Sequence, residues 1–429
     1  MNKKLLFAAA ILTFAMLLSG CSPKGKTITP LHSGTRLSAE YIWRGDYQRT
    51  GYIDVSAVKE TPRAIWQVWY GEKPQETPLS RFVNSSPLYY ENRVYFFDVK
   101  GTLHCLSADT GKEVWEKQFA VKSNDWSLKS RGENASLVMG NAIFFSIGSH
   151  IFGVDTNSGK TIYHFVFKNG IISGHFVVKE GVLYFSAERR VHFIGDAYTT
   201  GTYVCALNLK TGKVEHSDYI KGVIGKELSF ESGILLLTTR HKVIALNAKT
   251  CSILYEIAGK ESEATVAPIQ NGMFYAPFAR GIRAFDIKSG KVLWSTDIIP
   301  VAGHGNIGNP AVHDGTVYFV AKEYGRASTL YALDAKTGSI LWKTVLSKLP
   351  SNGGTHPENL HFTLENLALV RNTAYASVYE NGAYLVAIDL TSRKVLWKYP
   401  FSEALLRNLP ALSNGAIYAQ DAFYIEKLK

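Results

Sequence analysis

Apolar residues in this chain fall into short runs that alternate with polar positions at period two, and the runs are separated by clusters of Asp, Asn, Lys, Thr and Gly. Such alternation marks strands half buried on a sheet, and the polar clusters mark tight turns. Residues 330–342, LYALDAKTGSILW, hold one complete instance: an apolar strand, a turn centred on Gly338, and a second strand ending in Trp342. The arrangement recurs with anchors at Gly111, Gly159, Gly212, Cys251, Gly290, Gly338 and Arg393, spaced by 48, 53, 39, 39, 48 and 55 residues. That period suits one four-stranded propeller blade.

The columns of the repeat are chemically matched. Six residues before the anchor stand Cys105, Gly153, Ala206, Ala245, Ala284, Ala332 and Ala387, all small. Four residues before it stand Ser107, Asp155, Asn208, Asn247, Asp286, Asp334 and Asp389, short polar side chains able to bond back to the backbone of a turn. Four residues after it come Trp115, Tyr163, His216, Tyr255, Trp294, Trp342 and Trp397. A small strand residue is expected to let the neighbouring sheet approach, with the aromatic filling the wedge between sheets. Upstream hairpins, from PLYYENRVYFF at residues 87–97 to PALSNGAIYAQ at residues 410–420, number eight, but complete outer hairpins number seven. The segment PRAIWQVWY, residues 62–70, repeats the aromatic spacing at Trp66 and offers the missing strand. The expected fold is therefore all-β: an eight-bladed β-propeller of four-stranded antiparallel blades, closed by pairing this N-terminal strand with the C-terminal blade, which would remove exposed sheet edges. Trp66, Trp115, Trp294, Trp342 and Trp397 are its expected structural residues.

The columns resemble the PQQ-type (pyrrolo-quinoline quinone) propeller repeat, whose signature ends in ALDAxTGxxLW. YALDAKTGSILW and RAFDIKSGKVLW match it closely, while VCALNLKTGKVEH and VIALNAKTCSILY are degraded copies. WRGDYQRTGY, residues 43–52, resembles the lead-in of the same superfamily. One branch of that superfamily is the quinoprotein dehydrogenases, which hold PQQ and calcium on the axis beside a disulfide of adjacent cysteines. This chain has no Cys-Cys pair and offers no assignable calcium ligands, so no cofactor is expected. The other branch comprises lipid-anchored, non-enzymatic propellers of the BamB type, which support outer-membrane β-barrel assembly. The chain resembles them in length, blade count and N-terminus.

That N-terminus carries Lys3 and Lys4, an apolar run over residues 5–18, and LSGC at residues 18–21. A run of that length is short for a membrane span and suits an export signal. LSGC resembles the bacterial lipobox, which implies a signal peptide over residues 1–20 and lipidation of Cys21. Residues 21–62, polar and rich in Pro, Gly and Ser, read as a tether and lead-in, followed by the propeller over 63–429. Ser22 after the cysteine implies, by the same resemblance, an outer-membrane destination facing the periplasm. Cys105, Cys205 and Cys251 are an odd number without a close pair, so disulfides are not the framework.

Net charge is +11, which favours an anionic partner or surface and also solubility. Turns between the second and third strands are expected to carry Lys100, His150, Arg189, Arg190, Arg240, Arg280 and Arg326, a basic arc on one face that Glu380 interrupts. Insertions at residues 123–133, 187–201 and 347–362 fall on the same face and offer Trp126, Phe193 and Tyr198 as aromatic anchors for a partner. HPENLH at residues 356–361 lacks the helical spacing of a zinc site, so no metal is expected, and no catalytic residues are assignable. Export and the absence of a reading element disfavour nucleic acid. The expected function is a non-enzymatic, lipid-anchored scaffold for envelope proteins, a single propeller within a larger complex. A PQQ-dependent oxidoreductase and a ligand- or glycan-binding surface propeller are the alternatives.

Overall fold

The computed structural model describes residues 25–29, 39–42, 44–46, 48–70, 86–98, 101–119, 136–193, 196–222, 225–239, 241–259, 266–278, 280–300, 305–323, 327–347, 367–379, 383–401, 410–420 and 424–429. Every regular element among them is a β-strand, and the strands form eight antiparallel sheets, the blades of a propeller. Blades 1 to 7 span residues 88–117, 136–167, 171–221, 225–258, 269–297, 305–345 and 367–401. Blade 8 is composite. Its inner three strands are Ala411–Ser413, Ala416–Gln420 and Tyr424–Leu428, and its outer strand is Ala64–Trp69, which pairs antiparallel with Tyr424–Leu428. Arg63 and Lys429 exchange backbone hydrogen bonds beyond that ladder at 3.0 and 3.1 Å.

Each column of the repeat has a definite place in the blade. The Asx residue folds the outer turn: Asp334 Oδ1 accepts from the amides of Lys336 and Thr337 at 3.0 and 2.7 Å, and Asn247 Oδ1 from those of Lys249 and Thr250 at 2.9 and 3.2 Å. The small residue sits on the third strand with an aromatic directly opposite on each side, as in Tyr275–Ala284–Trp294 and Tyr375–Ala387–Trp397. Over it the two rings meet, with centroids 6.0 and 5.8 Å apart. The small column thus makes room for an aromatic pair within one sheet, which corrects the expectation that it admits the neighbouring sheet. Blade 8 places Lys427 in this position, and its ammonium lies 5.8 Å from the Tyr418 ring centroid.

The outer-strand aromatic does reach across the seam. Trp66 Nε1 donates to the Ala108 carbonyl of blade 1 at 3.1 Å, Trp115 to Thr156 of blade 2 at 3.1 Å, and Trp294 to Ala335 of blade 6 at 3.0 Å. The Tyr255 hydroxyl does the same to Ile287 of blade 5 at 2.6 Å. In each case the ring lies flat on the turn glycine of the receiving blade: a Cβ at Gly111, Gly159 or Gly290 would lie 2.6–2.9 Å from ring atoms, and Gly338 is tighter still against Trp294. Truncating one such ring costs about 3–5 kcal/mol. At the last seam the receiving turn is interrupted by the chain ends. There Trp397 Nε1 donates to the carbonyl of Val58, 3.1 Å away, and the Tyr375 hydroxyl accepts from the Val58 amide at 2.7 Å. Val58 stands in for the turn that blade 8 lacks.

The stretch expected to be a tether also touches the propeller. Gly25–Thr29 pairs with the outer strand of blade 2 and Ala39–Ile42 with its inner strand. Composition reports side-chain apolarity, whereas this docking is backbone pairing, open to polar sequence as well.

The seam contact separates two glycine roles. Gly338 and Gly315 both have positive φ, 74° and 69°, but an added methyl meets Trp294 at the first and nothing within 4 Å at the second. Gly315→Ala is expected to cost about 1–2 kcal/mol for the left-handed backbone alone. Gly338→Ala should lose about 1–3 kcal/mol more from overpacking, measured as the difference in urea unfolding free energy.

Candidate functional site on the axis and the loop-bearing face

An inner strand exposes one edge of unpaired amides and carbonyls towards the axis, and these need partners. Residues 44–46 and 48–58 supply them. Gln48 O accepts from Ile269 N of blade 5 at 2.9 Å, Thr50 O from Val312 N of blade 6 at 2.7 Å, Gly51 O from Leu369 N of blade 7 at 2.7 Å, and Ser56 O from Gly415 N of blade 8 at 2.9 Å. Arg49, fully buried, donates through Nε to Leu228 O of blade 4 at 3.0 Å and through Nη2 to Phe176 O of blade 3 at 2.8 Å. Arg44 donates to the Pro310 carbonyl of blade 6. The lead-in is therefore an axial thread that hydrogen-bonds the inner parts of six blades.

The thread brings charges into the interior. Two residues from the inner strands face it: His175 donates its backbone amide to Glu227 Oε2 at 3.2 Å, and its Nδ1 lies 3.1 Å from both carboxylate oxygens. Burial alone would raise the Glu227 carboxyl; His175 and then Arg49 outweigh it and hold the group below its ordinary 4.5. Burial also lowers the Arg44 guanidinium to about 10, with Asp46 opposing. Burial raises the Asp46 carboxyl, against which the Thr50 amide, at 2.9 Å, and hydroxyl both donate to it. The arrangement fastens a charged segment in place by matched donors and acceptors. Sequence reasoning missed the His175–Glu227 pair. Its signal was a charged residue just before the apolar part of two successive inner strands.

The basic arc is placed only in part. Arg240, Arg326 and Trp126 lie outside the described residues, as does Cys21. Arg189 and Arg190 were expected in a turn but belong to the strand Val182–Phe193, on either side of a register shift, and Tyr198 pairs with Val191 in the facing strand Asp196–Asn208. Apolar alternation through Val191 and Phe193 extends this hairpin where a loop was expected. Exposed Arg189 lies 5.6 Å from the Tyr219 ring centroid. Arg280 pairs with Asp297 on its own blade, which neutralises part of the arc.

Among the described residues, His104, Glu113 and Glu116 of blade 1 lie close enough to hold a cation. His104 Nδ1 is 2.7 Å from Glu113 Oε1, and Nε2 is 3.5 Å from Asp98 Oδ2. Burial opposes protonation of this imidazole, and the two carboxylates overcome it and raise its pKa.

The axial charges yield a stability expectation. Arg49→Met leaves Glu227 without one of its cations and should cost about 3–5 kcal/mol in chemical unfolding. Because the folded Glu227 pKa is depressed, its stabilisation is present above about pH 4.5 and is lost as pH falls through the folded value. Glu227→Gln should flatten that acid limb of the stability profile.

A sequence profile described as outer membrane protein assembly factor BamB matches residues 53–221 and 148–426. The outer membrane protein assembly factor BamB of Moranella endobia (strain PCIT) is 21% identical over 275 residues, covering 61% of this chain and 68% of that protein. The protein of the same name from Salmonella typhimurium is 21% identical over 273 residues, covering 61% of this chain and 66% of its own length. Among solved structures, quinohemoprotein alcohol dehydrogenase ADHIIG from Pseudomonas putida HK5 superposes with a TM-score of 0.66 at 12% identity, covering 91% of this chain and 80% of that one. BamB from Moraxella catarrhalis superposes with a TM-score of 0.54 at 10% identity, covering 86% and 100%. At such identities the structural likeness is one of fold. The profile, in contrast, runs through nearly the whole propeller: the chain belongs to the family of the outer membrane protein assembly factor BamB.

Proposed function

We propose that the protein is a non-enzymatic scaffold, anchored by a lipid on Cys21 at the periplasmic side of the outer membrane, that docks envelope proteins and supports assembly of outer-membrane β-barrels. The axial thread carries this reading. In a cofactor-bearing propeller the axis receives the cofactor; here Gln48, Arg49, Thr50 and Gly51 bond to the inner parts of blades 3 to 7 in that region. Together with the absence of a Cys-Cys pair from the sequence, that thread supports a chain whose faces and rim are its working surfaces.

Two surface features fit protein docking. The rim of blades 4, 5 and 6 exposes Ile253 with Leu254, Val292 with Leu293, and Ile340 with Leu341, apolar pairs on successive outer strands. Apolar side chains exposed on the rim in this way are available for contact with a partner. The loop-bearing face adds Arg189, and the chain's net charge of +11 suits an acidic partner surface.

Affinity isolation of the full lipoprotein from detergent-solubilised envelopes tests the reading. Co-purification of outer-membrane barrel-assembly proteins is expected, with no dye-linked dehydrogenase activity after addition of PQQ and calcium. Quinone-dependent dye reduction, or isolation with envelope glycans in place of proteins, would overturn it.

A further inference from the structure

The N-terminal segment reaches the propeller at the rim of blade 2. Gly25–Thr29 pairs with the outer strand of that blade, Gly25 opposite Phe167 and Thr29 opposite His164. It also comes within 8 Å, Cα to Cα, of the outer strand of blade 3, Lys213–Lys221, and so lies along the seam between the two blades. The Gly25 end is the end remote from the outer turns, because Thr161 leaves the blade 2 turn and Phe167 closes the same strand. Cys21 precedes Gly25 by four residues, a span of at most about 14 Å when fully extended. Whatever is bonded to Cys21 is thereby held close to the loop-bearing end of the seam between blades 2 and 3.

Cations gather at that end. Lys168 follows Phe167 directly, and Arg189, Gly201 and Lys221 form one row across the strands of blade 3. Arg189 and Lys221 are two strands apart, about 10 Å. Both lie on the face of blade 3 turned towards blade 2. Arg189 is 5.6 Å from the Tyr219 ring, and Tyr203, opposite Tyr219, packs on Phe167 of blade 2 with ring centroids 5.6 Å apart. The turn that carries Lys168 runs close beside this row, since a Cβ on Gly170 would lie 2.6 Å from the Glu188 carbonyl oxygen. Lys168, Arg189 and Lys221 are exposed, and none of them makes an ion pair among the described residues. Lys242 and Arg280, at the same end of blades 4 and 5, are instead taken up by Glu256 and Asp297 on their own blades. Glu188 is buried on the opposite face of its strand.

We infer that the loop-bearing end of the seam between blades 2 and 3 is a contact surface for anionic phospholipid, with Lys168, Arg189 and Lys221 meeting headgroup phosphates beside the anchored segment. The nearness of a membrane rests on the lipid that the proposed function places on Cys21; the charge of the surface does not. Cations held within a Debye length of an anionic leaflet are drawn to it, and three on one rigid edge turn that attraction into an orientation. An acidic protein surface offers Arg189 the same charge, but the arrival of the segment from Cys21 at this seam favours lipid phosphate. The propeller then meets the membrane by its blade 2–blade 3 edge, and the seam between blades 6 and 7, across the ring, projects away from it. The apolar pairs on the rim of blades 5 and 6 stay clear for proteins.

Sedimentation of the full chain from residue 21, carrying Cys21→Ser, with vesicles of equal parts phosphatidylglycerol and phosphatidylcholine tests the surface without a lipid on the protein and without an envelope partner. Its failure is therefore distinct from a failure of affinity isolation, and lipidation is read separately from the mass of the Cys21 peptide. Binding is expected to be at least about tenfold tighter than to phosphatidylcholine alone and to weaken as salt is added. The triple variant Lys168→Glu/Arg189→Glu/Lys221→Glu should weaken it by about tenfold or more. Lys249→Glu/Lys288→Glu/Lys336→Glu, an equal change of charge on exposed lysines of the outer turns at the other end of the blades, should leave it within about twofold. No preference for phosphatidylglycerol, or an equal loss in the two triple variants, would overturn the inference. Unchanged vesicle binding in the first triple variant together with loss of its co-purifying envelope proteins would also overturn it, and would assign the patch to an acidic protein.

Discussion

The fold depends on a contact between one blade's outer ring and the next blade's turn. An indole N–H satisfies a turn carbonyl while the ring covers the glycine beside it, as Trp294 does for Ala335 and Gly338. Hydrogen bonding fixes the angle between sheets, and apolar contact makes the approach favourable. A blade is too small to bury its own faces, and neighbours joined this way share a core: Tyr275, Ala284 and Trp294 of blade 5 pack in one cluster with Val317, Phe319 and Leu333 of blade 6. The turn position therefore answers to two demands, a left-handed backbone and room for a ring. Where the turn anchor carries a side chain, the seam changes. Arg393 lays its guanidinium 6.0 Å from the Trp342 ring, and Cys251 accompanies the replacement of the tryptophan or tyrosine of the other seams by His216.

A ring of blades built from one chain has one seam where the ends meet, and this chain closes it twice over. The strand Ala64–Trp69 completes blade 8, and Val58 supplies the carbonyl that Trp397 requires. The path between the thread and that strand ties axis to rim. Gly51 and Ile53 bond to Leu369 of blade 7, Ser56 to Gly415 of blade 8, and Val58 to Tyr375 and Trp397. Axial occupancy and ring closure are thus two consequences of one N-terminal segment. An axis held by the chain's own carbonyls and by Arg49 is the observation on which the proposed scaffold reading rests.

The blades could be read from the sequence because their side-chain chemistry repeats: Ala284, Asp286, Gly290 and Trp294 each recur in register through the chain. The axial thread could not, because its bonds are made by the backbone carbonyls of Gln48, Thr50, Gly51 and Ser56, which leave no mark in the side-chain pattern. For the same reason the polar lead-in read as a tether although parts of it pair with blade 2. Arg189 and Arg190 read as a turn because charge clusters usually mark turns, while the alternation of Val191 and Phe193 carries the hairpin further. The degraded repeat was legible as His216 and Cys251, and the structure shows the Cys251 side chain buried in that seam.

Native-state hydrogen exchange of the amides in residues 64–69 and 424–428 tests the closure most directly, since local opening and global unfolding differ in free energy. If the N-terminal strand and Val58 seal the ring, these amides exchange only through global unfolding, at the same free energy as those of Met273–Phe278 in blade 5. Exchange through a local opening several kcal/mol below that of blade 5 would contradict it, and would mean that the chain's ends are appended to the propeller without closing it.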